Sequence, residues 1–390
     1  MRIANSIENH QNNASWIRAM FEKGRELKTS LGALNVADLS LGNPLHEPNP
    51  ELLEVLAMVS KNPKFHRYTP NLGIDEAREK IAMFLEGKYG IDFKREHIAI
   101  TAGAAGGIAI ILRSFLDIGD TLAVFAPYFT EYPFYASNFA ARFNSIGTTY
   151  PFVPTQDDIK ALLKLKPKVV ILNTPNNPTG QIYNLGVYEV LKKAIDCLHH
   201  EERPLMVFDD PYFDFIYDDV PTIFPLSHFK NAIYVSSFSK VWAVPGDRIG
   251  FLAIHPENAN AGKIMDALSF ASRAMGFVHA NASMQWVLAQ IDFDKIEPDV
   301  KRYTAHRDAL IDGLSKLGLK ILKPKGAFYA FSRVPVLFRD DLEFVDRALD
   351  FGVIMVPGRG FGNKNFVRMV FSVSMETIEL ALNKFKVMLQ

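Results

Sequence analysis

Between residues 98 and 254, short apolar runs rich in β-branched side chains alternate with stretches of helical periodicity, and this alternation constrains the fold most. Runs at 98–101, 122–125, 142–145, 169–172, 205–208, 232–235 and 249–254 read as strands. The segments 108–116, 131–138, 155–165 and 190–199 read as helices. Such alternation predicts an α/β fold: a mostly parallel, seven-stranded-type sheet sandwiched by helices. Sheets of this kind hold ligands beyond the carboxyl ends of their strands.

The flanks extend the pattern. A helix is expected at 15–27 with Ser15 as its N-cap, then an apolar run at 36–41 closed by the turn Gly42-Asn43-Pro44. Helical periodicity returns at 74–89, 259–272 and 283–291, and one long amphipathic helix spans 298–318. Beyond it, strands at 320–322, 327–332, 353–356 and 366–371 mix with helices at 340–351 and 375–388. The expected division is an N-terminal arm over 1–48 that joins a smaller α/β domain, a large domain over 49–295, and the rest of the smaller domain over 296–390.

A formal net charge of +0 and a pI near 7.2 argue against nucleic acid or an anionic membrane as a partner. No apolar run approaches a membrane span, and residues 1–13 are polar with no signal-peptide core, so a cytoplasmic protein is expected. Cys197, the single cysteine, excludes an internal disulfide and is expected to be a packing residue in a helix. No metal-ligand spacing, H-x-x-x-H pair or G-x-S-x-G is present.

The chemistry gathers at strand ends. Lys240 follows the run at 232–235, between Phe238 and Trp242, which are expected to wall it off from water. A poorly solvated lysine keeps a free amine able to attack carbonyls. Ser237 and Ser239 add hydroxyls, and Arg248 adds a planar fork suited to phosphate. An amine of that kind beside a phosphate pocket suggests pyridoxal 5'-phosphate. A second phosphate-binding element is the glycine-rich turn at 103–107, including Gly103, Ala104 and Ala105, ahead of a helix. It lacks the G-x-G-x-x-G of dinucleotide sites. Asp209 and Asp210 end the strand at 205–208, where a carboxylate could pair with a ring nitrogen. Arg368 alone interrupts the apolar run 366–371, and a buried guanidinium demands an anion.

The segment from Ser237 to Gly250 fits S-x-x-K-x-x-x-x-x-G-x-R-x-G and so resembles the class I/II aminotransferases, pyridoxal-phosphate enzymes of fold type I. Further motifs follow in the family's order: the run 39–44 around Gly42, Tyr68-Thr69-Pro70-Asn71-Leu72-Gly73, Asn177-Pro178-Thr179-Gly180, Asp209-Asp210-Pro211-Tyr212 and Gly326-Ala327-Phe328-Tyr329. The resemblance implies that Lys240 holds the cofactor as a Schiff base, with Asp209, chosen by the D-x-x-Y spacing, on the pyridine nitrogen. It implies Asn177 and Tyr212 on the phenolate oxygen, Phe129 stacked on the ring, and Ser237, Arg248 and the Gly103–Ala105 amides on the phosphate. Tyr68 would reach the cofactor of a partner subunit in a homodimer with its active site at the interface. Arg368, with Gly42 and Asn177, would hold the substrate's α-carboxylate. The implied reaction moves an amino group from an L-amino acid to a 2-oxo acid. A carbon–sulfur β-lyase or an aminocyclopropane-carboxylate-synthase-like lyase shares these contacts, and a non-catalytic pyridoxal-phosphate-binding regulator is a third reading. Trp16, Tyr128, Phe129 and the absence of a lysine near Ala105 lean toward neutral substrates, while Arg18, Lys23 and Arg359 are each candidates for a distal carboxylate.

Overall fold

The computed structural model describes residues 2–4, 7–8 and 16–390. Its centre is a seven-stranded sheet built from β2 (Ile98–Thr101), β3 (Thr121–Ala126), β4 (Arg142–Gly147), β5 (Val169–Asn173), β6 (Leu205–Asp209), β7 (Ala232–Ser237) and β8 (Gly250–Ile254). The strand order is β2-β8-β7-β6-β5-β3-β4, and only β8 runs antiparallel to its neighbours. Successive residues of a strand face opposite ways, which divides the core in two. Val170, Leu172, Met206, Phe208, Tyr234 and Phe251 join one cluster. Ile171, Val207, Val235 and Leu252 join the other, beneath the helices Gly103–Phe115 and Ala261–Ala274. Strands buried on both faces are continuously apolar, which is why these runs stand out in the sequence.

A four-stranded antiparallel sheet lies beside it, ordered β12 (Val356–Pro357), β13 (Phe366–Val370), β10 (Tyr329–Arg333), β9 (Ile321–Leu322). A two-stranded parallel sheet pairs β1 (Ala37–Asp38) with β11 (Val353–Ile354), joining the N-terminal segment to the C-terminal part of the chain. The amide of Val370 donates to the carbonyl of Leu39, so the segment after β1 runs along the end of β13. The amides of Lys325 and Gly326 donate to the carbonyl of Gly180, tying the smaller sheet to the loop after β5.

Several expectations are corrected. The helix expected at 15–27 spans Trp16–Leu31, and the Ser15 cap lies outside the described residues, as does most of 1–13. The supposed turn at 103–107 is already helix. Glycine disfavours helices in isolation, but a Cβ on Gly107 would lie 3.0 Å from Val235, so a bare backbone lets this helix rest on the sheet. The run 36–41 yields only a two-residue strand, and 353–356 divides between two sheets. Cys197 is exposed: its helix stops at Asp196, leaving the cysteine at the C-cap rather than on the packed face. None of the described helices is long and apolar enough to cross a membrane.

Candidate active site

The loops that follow β3, β5, β6 and β7 converge on a cavity of about 240 Å³ at the carboxyl ends of those strands. Because β8 is reversed, its leading residue Gly250 and the preceding Arg248 reach the same edge. The wall includes Gly42, Ala104, Ala105, Phe129, Asn177, Asp209, Tyr212, Ser237, Lys240, Arg248 and Arg368. Eleven residues singled out from the sequence, spread over more than three hundred positions, therefore meet in one place. A larger hollow of about 710 Å³ opens near the amino ends of β6 and β7, lined by Leu205, Lys192 and Lys230 among others. Lys192 pairs with Asp196 and Lys230 with Glu257, and among the described residues none of the buried unpartnered side-chain atoms lies in its wall.

Lys240 sits on the single helical turn Phe238–Val241 at the end of β7. Its Nζ donates to the carbonyl of Gly42 at 2.6 Å and lies 5.7 Å from the centre of the Phe328 ring. Burial lowers its pKa to about 8, and the positive charges of Arg368 and Arg248 push in the same direction. Phe238 and Trp242 are not the walls expected from the sequence. They stack on each other at 4.0 Å and pack against Phe293, because residues four apart share a helix face and the residue midway between them points away. Gly42 comes close because it lacks a side chain: a Cβ there would lie 2.4 Å from the Tyr329 hydroxyl.

Asp209 ends β6 and is 5% exposed. Its Oδ2 accepts the Tyr132 hydroxyl at 2.5 Å, whereas its Oδ1 is buried with no partner. Burial raises its pKa to about 6, partly offset by the Tyr132 hydrogen bond. Asp210 turns the other way, accepting from Tyr234 and from the Tyr212 amide, which agrees with choosing Asp209 as the residue that faces the cavity. The Tyr212 and Tyr329 hydroxyls share a hydrogen bond of 2.7 Å. Asn173 orders the loop by donating to the Asp209 carbonyl and accepting the Asn177 amide.

The two ends of the cavity are cationic. At one, the Arg248 guanidinium lies over Gly103, where a Cβ would be 2.8 Å from its Nη2, and its two hydrogen bonds go to the carbonyls of Pro245 and Ala102. The helix starting at Gly103 has no side-chain cap, so its first amides are free for an anion. At the other end, Arg368 is 1% exposed between the rings of Tyr329 and Phe361. It donates to Asn177 Oδ1 at 3.2 Å and to the Ser40 carbonyl, and its Nε has no partner. Both acceptors are neutral.

Tyr68 is not brought into the cavity of its own chain. It is 88% exposed, with its ring against His279. Tyr132, Tyr135, Tyr329, Ile17 and the Ser40 carbonyl join the site without having been assigned roles from the sequence. Tyr329 stands in a motif that could have flagged it, whereas a backbone carbonyl has no sequence signature.

The cavity suits a flat molecule bearing a phosphate, an aldehyde and a ring nitrogen: Arg248 and the free amides fit the phosphate, Lys240 the aldehyde, and the orphaned Asp209 Oδ1 a protonated ring nitrogen.

A family model described as aminotransferase class I and II matches residues 35–385. The probable aspartate aminotransferase of Methanocaldococcus jannaschii is 28% identical over 362 residues, covering 92% of this chain and 94% of that protein. The aspartate aminotransferase of Pyrococcus horikoshii is 28% identical over 380 residues, with 95% and 94% covered. Among solved structures, an amino transferase from Eubacterium rectale superposes with a TM-score of 0.92 at 28% identity, covering 100% of this chain and 98% of that one.

Proposed function

The chain belongs to the class I and II aminotransferase family, whose cofactor is pyridoxal 5'-phosphate, and from that premise we propose the following roles for its residues. The reaction is transfer of an amino group from an amino acid to a 2-oxo acid. Lys240 anchors the cofactor and acts as the base. Asp209 pairs with the ring nitrogen through the oxygen that has no other partner. Asn177 and Tyr212 bind the phenolate oxygen, and Phe129 covers the ring. Arg248, Ser237 and the amides of Gly103, Ala104 and Ala105 hold the phosphate. Arg368, with Gly42 and Asn177, holds the substrate's α-carboxylate.

The bound cofactor supplies an aldehyde to be captured and a ring that draws electrons from the substrate's α-carbon. The chain's part is to place and move protons. Burial near two guanidinium groups leaves far more of Lys240 unprotonated at neutral pH than a solvated lysine would have, so Nζ can attack a carbonyl and later remove the α-proton. Arg368 fixes the carboxylate, which orients the α-carbon toward Nζ. Asp209 carries its negative charge where it favours a protonated ring nitrogen, and the Tyr132 hydrogen bond steadies it there.

The observation that carries this reading is the meeting of three groups in one cavity wall: a buried lysine amine with lowered pKa, an unpaired buried carboxylate oxygen and an arginine with no acidic partner. Its test is Lys240→Ala. The wild-type protein mixed with pyridoxal phosphate should develop a visible absorption band and convert amino acids. The variant should lack both, and a variant that keeps both would overturn the assignment. We further propose a homodimer in which the exposed Tyr68 of one chain reaches the phosphate end of the other's cavity. The proposed division into an arm over 1–48, a large domain over 49–295 and a small domain over 296–390 follows the separation of the sheets. Its proposed location is cytoplasmic.

A further inference from the structure

We propose that His46, held as a neutral imidazole with its proton on Nε2, is a positioning residue for Lys240. It fastens the segment that crosses the cavity to the helical turn that carries the lysine. This rests on the role given to Lys240 above and adds a residue to it.

The crossing segment works through its backbone. The Ser40 carbonyl accepts from Arg368, and the Gly42 carbonyl accepts from Lys240 Nζ at 2.6 Å. Such carbonyls hold a cation in place only as firmly as their own segment is held. One end is fixed at Leu39, whose carbonyl accepts the amide of Val370 in β13. At the other end, the Leu45 amide donates to the Tyr303 hydroxyl at 2.5 Å. The His46 ring meets that hydroxyl through Nδ1 at 2.9 Å and the Val241 carbonyl through Nε2 at 3.0 Å. Val241 follows Lys240 and closes its single turn, so this carbonyl is one of those a helix end leaves open. Tyr303 is 0% exposed on the helix Val300–Lys316, and its ring packs against Phe215 and against Phe328, the ring nearest the Lys240 amine. One imidazole thus joins three stretches that are remote in sequence.

The proton positions follow from the partners. A carbonyl only accepts, so Nε2 carries the hydrogen. The Tyr303 oxygen receives the Leu45 amide and gives its own proton to Nδ1, which is therefore bare. Burial lowers the pKa of His46 and so favours this neutral ring, outweighing the Val241 carbonyl and the Asp299 carboxylate, which pull it up. Arg302 lowers it further and Glu47 raises it. A second proton would turn Nδ1 from acceptor to donor and displace the proton of Tyr303, so the tie belongs to the neutral ring.

The test compares three variants. His46→Phe keeps a ring and removes both bonds, His46→Gln offers an amide donor and an oxygen acceptor in their place, and Tyr303→Phe removes the shared hydroxyl. In the cofactor-loaded enzyme, with aspartate and phenylalanine as amino donors, His46→Phe should lower kcat per active site by roughly tenfold. His46→Gln should restore most of that rate. Tyr303→Phe should act in the same direction as His46→Phe, and the two together should cost less than the product of their separate losses. Below pH 6.5 the wild type should lose rate faster than His46→Gln, which has no ring to protonate. Aldehyde capture by the full-length, cofactor-free chain gives a readout apart from turnover. Its midpoint should rise from about 8 in the wild type toward 10.5 in His46→Phe, because burial is the largest cause of the lowering and a loosened segment admits water. The inference is overturned by a kcat and midpoint unchanged in His46→Phe, by His46→Gln faring no better than His46→Phe, by additive losses, or by a pH profile that wild type and His46→Gln share. If the wild type captures no aldehyde, the role of Lys240 fails instead, and amide hydrogen exchange decides the tie by itself. Residues 39–46 should then exchange faster in His46→Phe and Tyr303→Phe than in the wild type, and equal exchange would refute it.

Discussion

Two arginines are almost wholly removed from water, and the chain treats them differently. Arg307, on the helix Val300–Lys316, is 0% exposed and meets Asp218 through both terminal nitrogens at 2.8 Å. Its Nε meets Asp308 at 2.8 Å, a third acceptor is the Pro324 carbonyl, and the guanidinium lies over the Tyr217 ring. Arg368 has rings on either side but no acid, and one nitrogen has no partner at all. A buried charge left uncompensated weakens a fold unless something outside the chain completes it. Arg307 is finished by folding. Arg368 is left open by it.

The sharpest way to break this comparison is Arg368→Met. It removes an uncompensated charge and keeps apolar bulk, so the melting temperature should stay level or rise, while kcat/KM for the amino donor falls by roughly 10³-fold, the scale of truncating a buried charged pair. A loss below tenfold, or a fall in melting temperature, would show that Arg368 is structural after all. Asp218→Ala is the counterpart on the other arginine, with a smaller expected effect. It should lower folding stability by about 2 kcal/mol and leave turnover per folded molecule intact, as denaturant unfolding and active-site titration would report. The cost is moderate because Asp218 is itself half exposed and Asp308 remains on Nε.

Much of this division was visible beforehand. Arg368 is the only charge in an apolar strand, a contrast a linear reading can register, and the clusters after the strands at 169–172, 205–208 and 232–235 were placed correctly at one sheet edge. Arg307 drew no notice, because one cation in an amphipathic helix looks like a solvated one until the fold brings Asp218 to it across 89 positions. The same limit hid the Tyr132 bond to Asp209, whose partners lie 77 positions apart. Local errors had local causes. Glycines at 103–107 read as a turn since their helix is held by the sheet rather than by propensity, and Phe238 and Trp242 were given to Lys240 since the turn of helix that sends them elsewhere lies in a segment read only as the end of a strand.

The smallest expected effect tests whether Arg368 and Lys240 feel each other. Burial is the larger cause of the amine's lowered pKa, and the neighbouring arginine comes second, so two contributions can be separated. In cofactor-free protein, aldehyde capture should rise with pH and level off above about 8, where an ordinary lysine would keep gaining up to 10.5. A depressed amine contributes stability that is complete above 10.5 and lost as the pH falls through about 8, so the cofactor-free fold should gain stability across that window as pH increases. Arg368→Met removes the second cause only. The midpoint for capture should therefore move up yet stay below that of a free lysine, because Lys240 is still buried. A midpoint identical in both proteins would mean that the arginine's charge is screened from the amine. A wild-type midpoint at 10.5 would mean that the amine is solvated, and the contrast between a guanidinium completed by its own chain and one left open beside a reactive lysine would lose its chemical consequence.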